Sequence, residues 1–180
     1  MADAAHVEPG RARIRPMEPA SLLADVLSNL LRELVDGPPG EVAFILNPGD
    51  RGLFASLADL SAAQASTRID GRSSVAAHVH HLRFGLHLLN RWAGGDTNAF
   101  ADAAYAESWS HQQVNDAGWR ELREAFEREG REWRSRLQTP PSTWDETTLS
   151  GFVSSVAHTA YHMGAIRQLV PAAGGPRAKD

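Results

Sequence analysis

Apolar residues recur at helical spacing along this chain, and glycine and proline cut them into segments. Between residues 21 and 36 the pattern runs through Leu22, Leu23, Val26, Leu27, Leu30, Leu31, Leu34 and Val35, which is helical spacing. Gly37-Pro38-Pro39-Gly40 closes it. Leu53, Leu57 and Leu60 predict a second, shorter helix that ends before Arg68. Ser73 or Ser74 is placed to cap a third, which reaches about Trp92 and stops at Gly94-Gly95. Trp119, Leu122, Phe126, Trp133 and Leu137 form the stripe of a fourth, opened near Asp116 and stopped by Pro140-Pro141. The last opens at Asp145 and Glu146 and runs to about Val170, before Pro171. Residues 42–46 are a short apolar run, open between a strand and a buried loop. No repeat and no strand pair is evident.

This pattern predicts an all-α fold. A four-helix bundle with an extra N-terminal helix is the simplest way to bury the stripes. The long connection over residues 96–115 bears on topology. Antiparallel neighbours need only short links, whereas about 20 residues at roughly 3.3 Å each can cross a bundle about 30 Å long. The helix before it and the helix after it, second and third in the bundle, are therefore expected to run parallel, joined by an overhand crossover. Residues 1–19 and 171–180 read as flexible tails around one domain, residues 20–170.

The 180 residues suffice for one sizeable core. A net charge of -4 offers no polybasic field, so nucleic acid is not an expected partner. No apolar run approaches the roughly 20 residues of a membrane span, and the first 19 residues lack the apolar core of a signal peptide. The expected location is the cytoplasm. There are no cysteines, so a metal site here must use His, Asp or Glu, and any thiol chemistry needs a thiol from outside the chain.

Three of the eight histidines carry the chemistry. His158 and His162 are four apart and share a face of the last helix. On the third helix His81 shares its face with Ser74, Ala77, Gly85 and Leu88, while His80, Arg83, His87 and Asn90 fall on the polar flank. His80 and His87 are thus expected in water, and His78 lies between the two faces. A single inward histidine is more often a hydrogen-bonded core residue than a ligand. Three change the balance, because each buried imidazole without a partner costs about 1–3 kcal/mol and one shared metal satisfies all of them. Small neighbours (Ala77, Gly85, Ser154, Ser155, Ala165) leave room for an ion. Three neutral nitrogens plus a solvent position describe an open, catalytic type of site. The His-Glu-x-x-His pattern is absent, since Thr159 follows His158, and so is the Glu-x-x-His pairing of di-iron bundles.

Two motifs support a resemblance. Ser74-Val75 opens a helix that carries His81-Leu82 seven residues on, and residues 156–168 read Val-Ala-His-Thr-Ala-Tyr-His-Met-Gly-Ala-Ile-Arg-Gln. With these, the chain resembles the DinB-like superfamily, which includes YfiT-type proteins, bacillithiol transferases and mycothiol-dependent maleylpyruvate isomerases. The likeness spans roughly residues 52–170. It implies a four-helix bundle with the crossover described, a divalent metal (zinc or nickel) on His81, His158 and His162, a low-molecular-weight thiol as co-reactant, a small-molecule substrate, and a homodimer. Residues 41–50 have no counterpart in the family pattern.

Other positions have two readings each. Tyr105, Trp109 and His111 on the connection either cover the metal pocket or plug the end of the bundle. Tyr161 either donates a proton or packs. Glu107 and Asp116 either orient a ligand imidazole or sit exposed as caps. His78 is a candidate fourth ligand. The functional expectation is a metal-dependent transferase of the thiol-using kind or a hydrolase. The alternative is a non-catalytic bundle with a structural metal or none, acting through dimerisation or partner binding.

Overall fold

The computed structural model describes residues 18–139 and 144–177. Six α-helices and one 3-10 turn account for the regular structure of these residues, and none forms a strand. Helix α1 spans Pro19–Asp36, α2 Leu53–Ala58, α3 Ala62–Ser66, α4 Val75–Ala93, α5 Asp116–Leu137 and α6 Glu146–Ala172; the 3-10 turn is Glu107–Trp109.

Local chemistry sets most of these boundaries. Pro19 sits at the start of α1, where its missing N–H costs nothing. Side chains of Ser74, Asn115 and Asp145 accept the backbone N–H of Ala77, Gly118 and Thr148, which satisfies donors that the first turn leaves unpaired. The single helix expected around Leu53–Leu60 is instead two short ones. The break falls at Ser61, whose hydroxyl and backbone N–H form a reciprocal capping box with Gln64 and start α3 anew. Helix α5 ends at Leu137, ahead of the proline stop, whose residues lie outside those described.

At the C-terminal end the expected tail begins too early. Pro171 and Ala172 belong to the last turn of α6, and the Gly174 carbonyl accepts from Gln64 Nε2 at 2.9 Å.

The four long helices α1, α4, α5 and α6 pack as a bundle, with α4 and α1 each lying against both α5 and α6. Trp133, Phe126, Leu31, Leu34 and Leu82 are its most buried large side chains. Contacts along α4 and α5 ascend together: Gln112, just before α5, holds the Ser74 N–H, and Glu129 meets His87 and Asn90. These two helices therefore run in the same sense. Contacts between α4 and α6 descend, from His78 with His162 to Leu89 and Trp92 against Gly151, so that pair is antiparallel. Helix α1 is itself one of the four long helices, and the additional turns are α2 and α3.

Residues 38–51 form a loop that leaves and returns through two touching glycines. A Cβ on Gly37 would stand 2.8 Å from the Asp50 carbonyl, and one on Gly52 only 2.4 Å from the Gly37 nitrogen. Residues 42–46 are neither strand nor buried loop: Phe44 is 80% exposed, and only Leu46 reaches the core. Glu33 of α1 holds them. Its side chain is buried and accepts the backbone N–H groups of Phe44, Ile45 and Leu46 at 2.6–3.1 Å. Burial pushes its carboxyl pKa up, but the three N–H donors outweigh that and hold it below the usual range. Glu33→Ala leaves those donors without their anion, so chemical denaturation is expected to show a loss of about 2–3 kcal/mol. A loss of a few tenths would mean that the loop does not depend on Glu33.

No helix among the described residues is long and apolar enough to cross a membrane.

Candidate metal centre

Because α4 and α6 are antiparallel neighbours, the inward faces that carry His81 and the His158/His162 pair meet. One ligand atom from each of the three lies within 4.8 Å of the other two. His81 Nε2 is 3.2 Å from His158 Nε2, and His162 Nε2 is 2.9 Å from the same atom. A tetrahedral ion with bonds of about 2.0–2.1 Å sets its nitrogen ligands roughly 3.3 Å apart, so the spacing suits one small cation.

The hydrogen-bond chemistry fits the same conclusion. Ser108 is fully buried, and its hydroxyl donates to the Tyr105 carbonyl at 2.6 Å. Its remaining role toward His81 Nδ1, 2.7 Å away, is as an acceptor. His81 must then carry its proton on Nδ1, which turns the Nε2 lone pair toward the cluster. A single N–H on His158 can serve only one of its two nitrogen neighbours well, whereas a cation accepts all three lone pairs.

His78 lies behind the cluster. Its Nδ1 is 2.9 Å from His162 Nδ1, the ring atom that points away from the other two ligands. With the His162 Nε2 lone pair turned to the cluster, His162 Nδ1–H donates to His78. His78 is thereby an orienting partner, the arrangement usual behind ligand imidazoles, and does not stand at the fourth position.

Burial, reinforced by the neighbouring imidazoles His158, His78 and His80, pushes the pKa of His81 down to about 4. Burial with His158, His78 and His81 pushes His162 down to about 3, and burial lowers His78 and His158 too. At neutral pH the rings are uncharged, the form a metal needs. The consequence for stability has a definite sign. An unfolded chain takes up protons on His81 and His162 below about pH 6.5, and the folded chain does not until about pH 4 and about pH 3 respectively. Metal-free protein is therefore expected to lose stability steadily as pH falls from about 6.5 towards 4. Thermal melts across that range test it; a flat melting temperature would contradict it.

The crossing segment covers one side of the cluster. The Trp109 ring stacks on His81 at 4.1 Å and 19°, and meets His78 edge-on. Tyr105 packs edge-on against Phe84, and His111 stacks on His80 at 3.7 Å. The polar flank of α4 is not in open water, as its spacing alone suggested. His80 Nδ1 donates to the Ser108 carbonyl, and His87 and Asn90 bond Glu129 of α5, because α4 is covered by both α5 and the crossing segment. Glu107 and Asp116 are exposed, and Tyr161 is 73% exposed against the edge of the His162 ring. The orienting role considered for Glu107 or Asp116 falls to Ser108, a residue that no periodicity singles out.

The fold and site together define a helical bundle with a three-histidine group that could hold a metal ion. Comparison with known proteins finds no family, no curated protein and no solved structure that matches the chain.

Proposed function

We propose that this chain is a DinB-like, divalent-metal-dependent enzyme. His81, His158 and His162 hold zinc or nickel, and the reaction is thiol transfer to, or hydrolysis of, a small molecule. The observation that carries the reading is the convergence of three Nε2 atoms whose rings are oriented from behind by Ser108 and His78. When bound, such an ion supplies Lewis acidity, which lowers the pKa of a coordinated water or thiol. The chain's own residues hold the three lone pairs on one point, keep the rings neutral, and cover one flank with Trp109. His158 remains partly exposed, and His78 does not close the fourth position. Both features favour an open site over a purely structural one.

The test is metal binding by protein purified without a histidine tag, followed by thiol-transfer and hydrolase screens. About one zinc or nickel per chain is expected, and Ser108→Ala should weaken its affinity about 10–100-fold by freeing the His81 ring. Wild-type protein that binds neither metal sinks the proposal.

A further inference from the structure

Beside the histidine cluster, the cleft between α4 and α6 widens into a cavity of about 340 Å³. Leu86 and Leu89 of α4, Ser154 and Thr159 of α6, and Phe100 and Tyr105 of the crossing segment wall it, and His158 stands at its end. Gly85 opens that end. A Cβ there would lie 3.8 Å from His158 Cε1, so the bare position exposes the edge of the imidazole to the cavity.

No Asp, Glu, Lys or Arg among the described residues lines this space. The α6 hydroxyls among its walls are also committed, which leaves the phenol of the half-exposed Tyr105 as its free hydroxyl donor among the described residues. Ser154 donates to the Gly151 carbonyl, Ser155 to Phe152 and Thr159 to Ser155. Toward a ligand these groups present only lone pairs. Away from the His158 end, where a bound metal ion would itself attract an anion, a carboxylate or phosphate placed against this wall would lose its hydration and gain no charged partner from the lining side chains, which is a large penalty. An aromatic ring or short aliphatic chain loses nothing polar and gains the burial of its surface.

We propose that this cavity binds the uncharged, largely apolar body of the substrate, with one end against His158. The proposal rests on the metal-enzyme reading for its functional meaning. It assigns the cavity to the apolar acceptor or hydrolysed molecule, and not to an anionic thiol co-reactant.

Binding of N-phenyl-1-naphthylamine, a neutral fluorescent aromatic amine, tests it without any reaction. Wild-type protein should bind one probe, and, with metal removed by a chelator so that no ion stands at the His158 end, benzyl alcohol should displace it at least about tenfold more effectively than benzoate. Ser154→Phe, at an exposed position of the wall, should weaken probe binding about tenfold or more by filling the space. Gly85→Leu provides a second block from the opposite helix should Ser154→Phe fail to fold, with folding checked by circular dichroism. Metal content measured on the same samples separates the two readings. Probe binding by a wild type that holds no metal removes the enzyme reading and leaves the cavity assignment standing. Metal-loaded wild type that does not bind the probe overturns the cavity assignment alone. So does equal binding by folded blocked variants, or equal displacement by benzoate from the chelator-treated protein.

Discussion

Alanine in place of His162 is expected to abolish metal binding and leave the bundle folded. His162 is 2% exposed and meets His158 through Nε2 and His78 through Nδ1. Its loss leaves two nitrogens on the shared point and takes away the partner of His78. The main core lies elsewhere, around Trp133, Phe126, Leu31 and Leu34, so the stability cost should stay near about 1–2 kcal/mol. Metal content should fall from about one per chain to near zero. His78→Ala removes only the orienting partner, so it should keep the metal with affinity about 10–100-fold lower. Mass-spectrometric metal analysis and circular dichroism on the same samples read both effects. Full metal content in His162→Ala removes this residue from the site. Unfolding of His162→Ala together with chelator-induced unfolding of the wild type would instead mark the metal as structural, because its binding energy would then be folding energy.

The largest stability effect is expected at Trp133. Its side chain is fully buried on α5, and its ring packs edge-on against Phe152 of α6 at 5.3 Å. Trp133→Ala removes that contact and leaves a cavity, at a cost of about 3–5 kcal/mol. Trp133→Phe keeps an aromatic ring for the Phe152 contact and leaves a smaller cavity, so it should cost less than the alanine variant. Among the described residues the indole Nε1 has no hydrogen-bond partner, so the smaller ring relieves a buried donor as it loses volume. Urea denaturation of the two variants checks the contrast. Equal losses would mean that the indole's polar atom contributes to stability after all.

Much of the fold was legible because helical burial is written locally. The stripe Trp119, Leu122, Phe126, Trp133 and Leu137 is buried throughout, and Ser74 caps α4 as its place before the apolar run suggested. The break at Ser61 is local too, but it is written in a Ser-x-x-Gln capping box and not in the apolar rhythm. The extension of α6 through Pro171 and the burial of Asn90 depend instead on what lies next to those residues in space, and periodicity does not record it. The segment 41–50 was opaque for the same reason. Its backbone donors are satisfied by Glu33, about a dozen residues earlier and on another element.

For the site, the sequence by itself determined which imidazoles face inward, since a four-residue spacing puts His158 and His162 on one side of a helix and the wheel puts His81 on the apolar side of another. Only the tertiary structure decided that the two faces meet at hydrogen-bond distance, that His78 stands behind His162, and that Ser108 sets the tautomer of His81. Facing direction is a property of one helix and follows from residue spacing. Distance, proton position and the apolar cavity beside His158 are properties of how α4, α6 and the crossing segment pack, and no single segment of the chain encodes them.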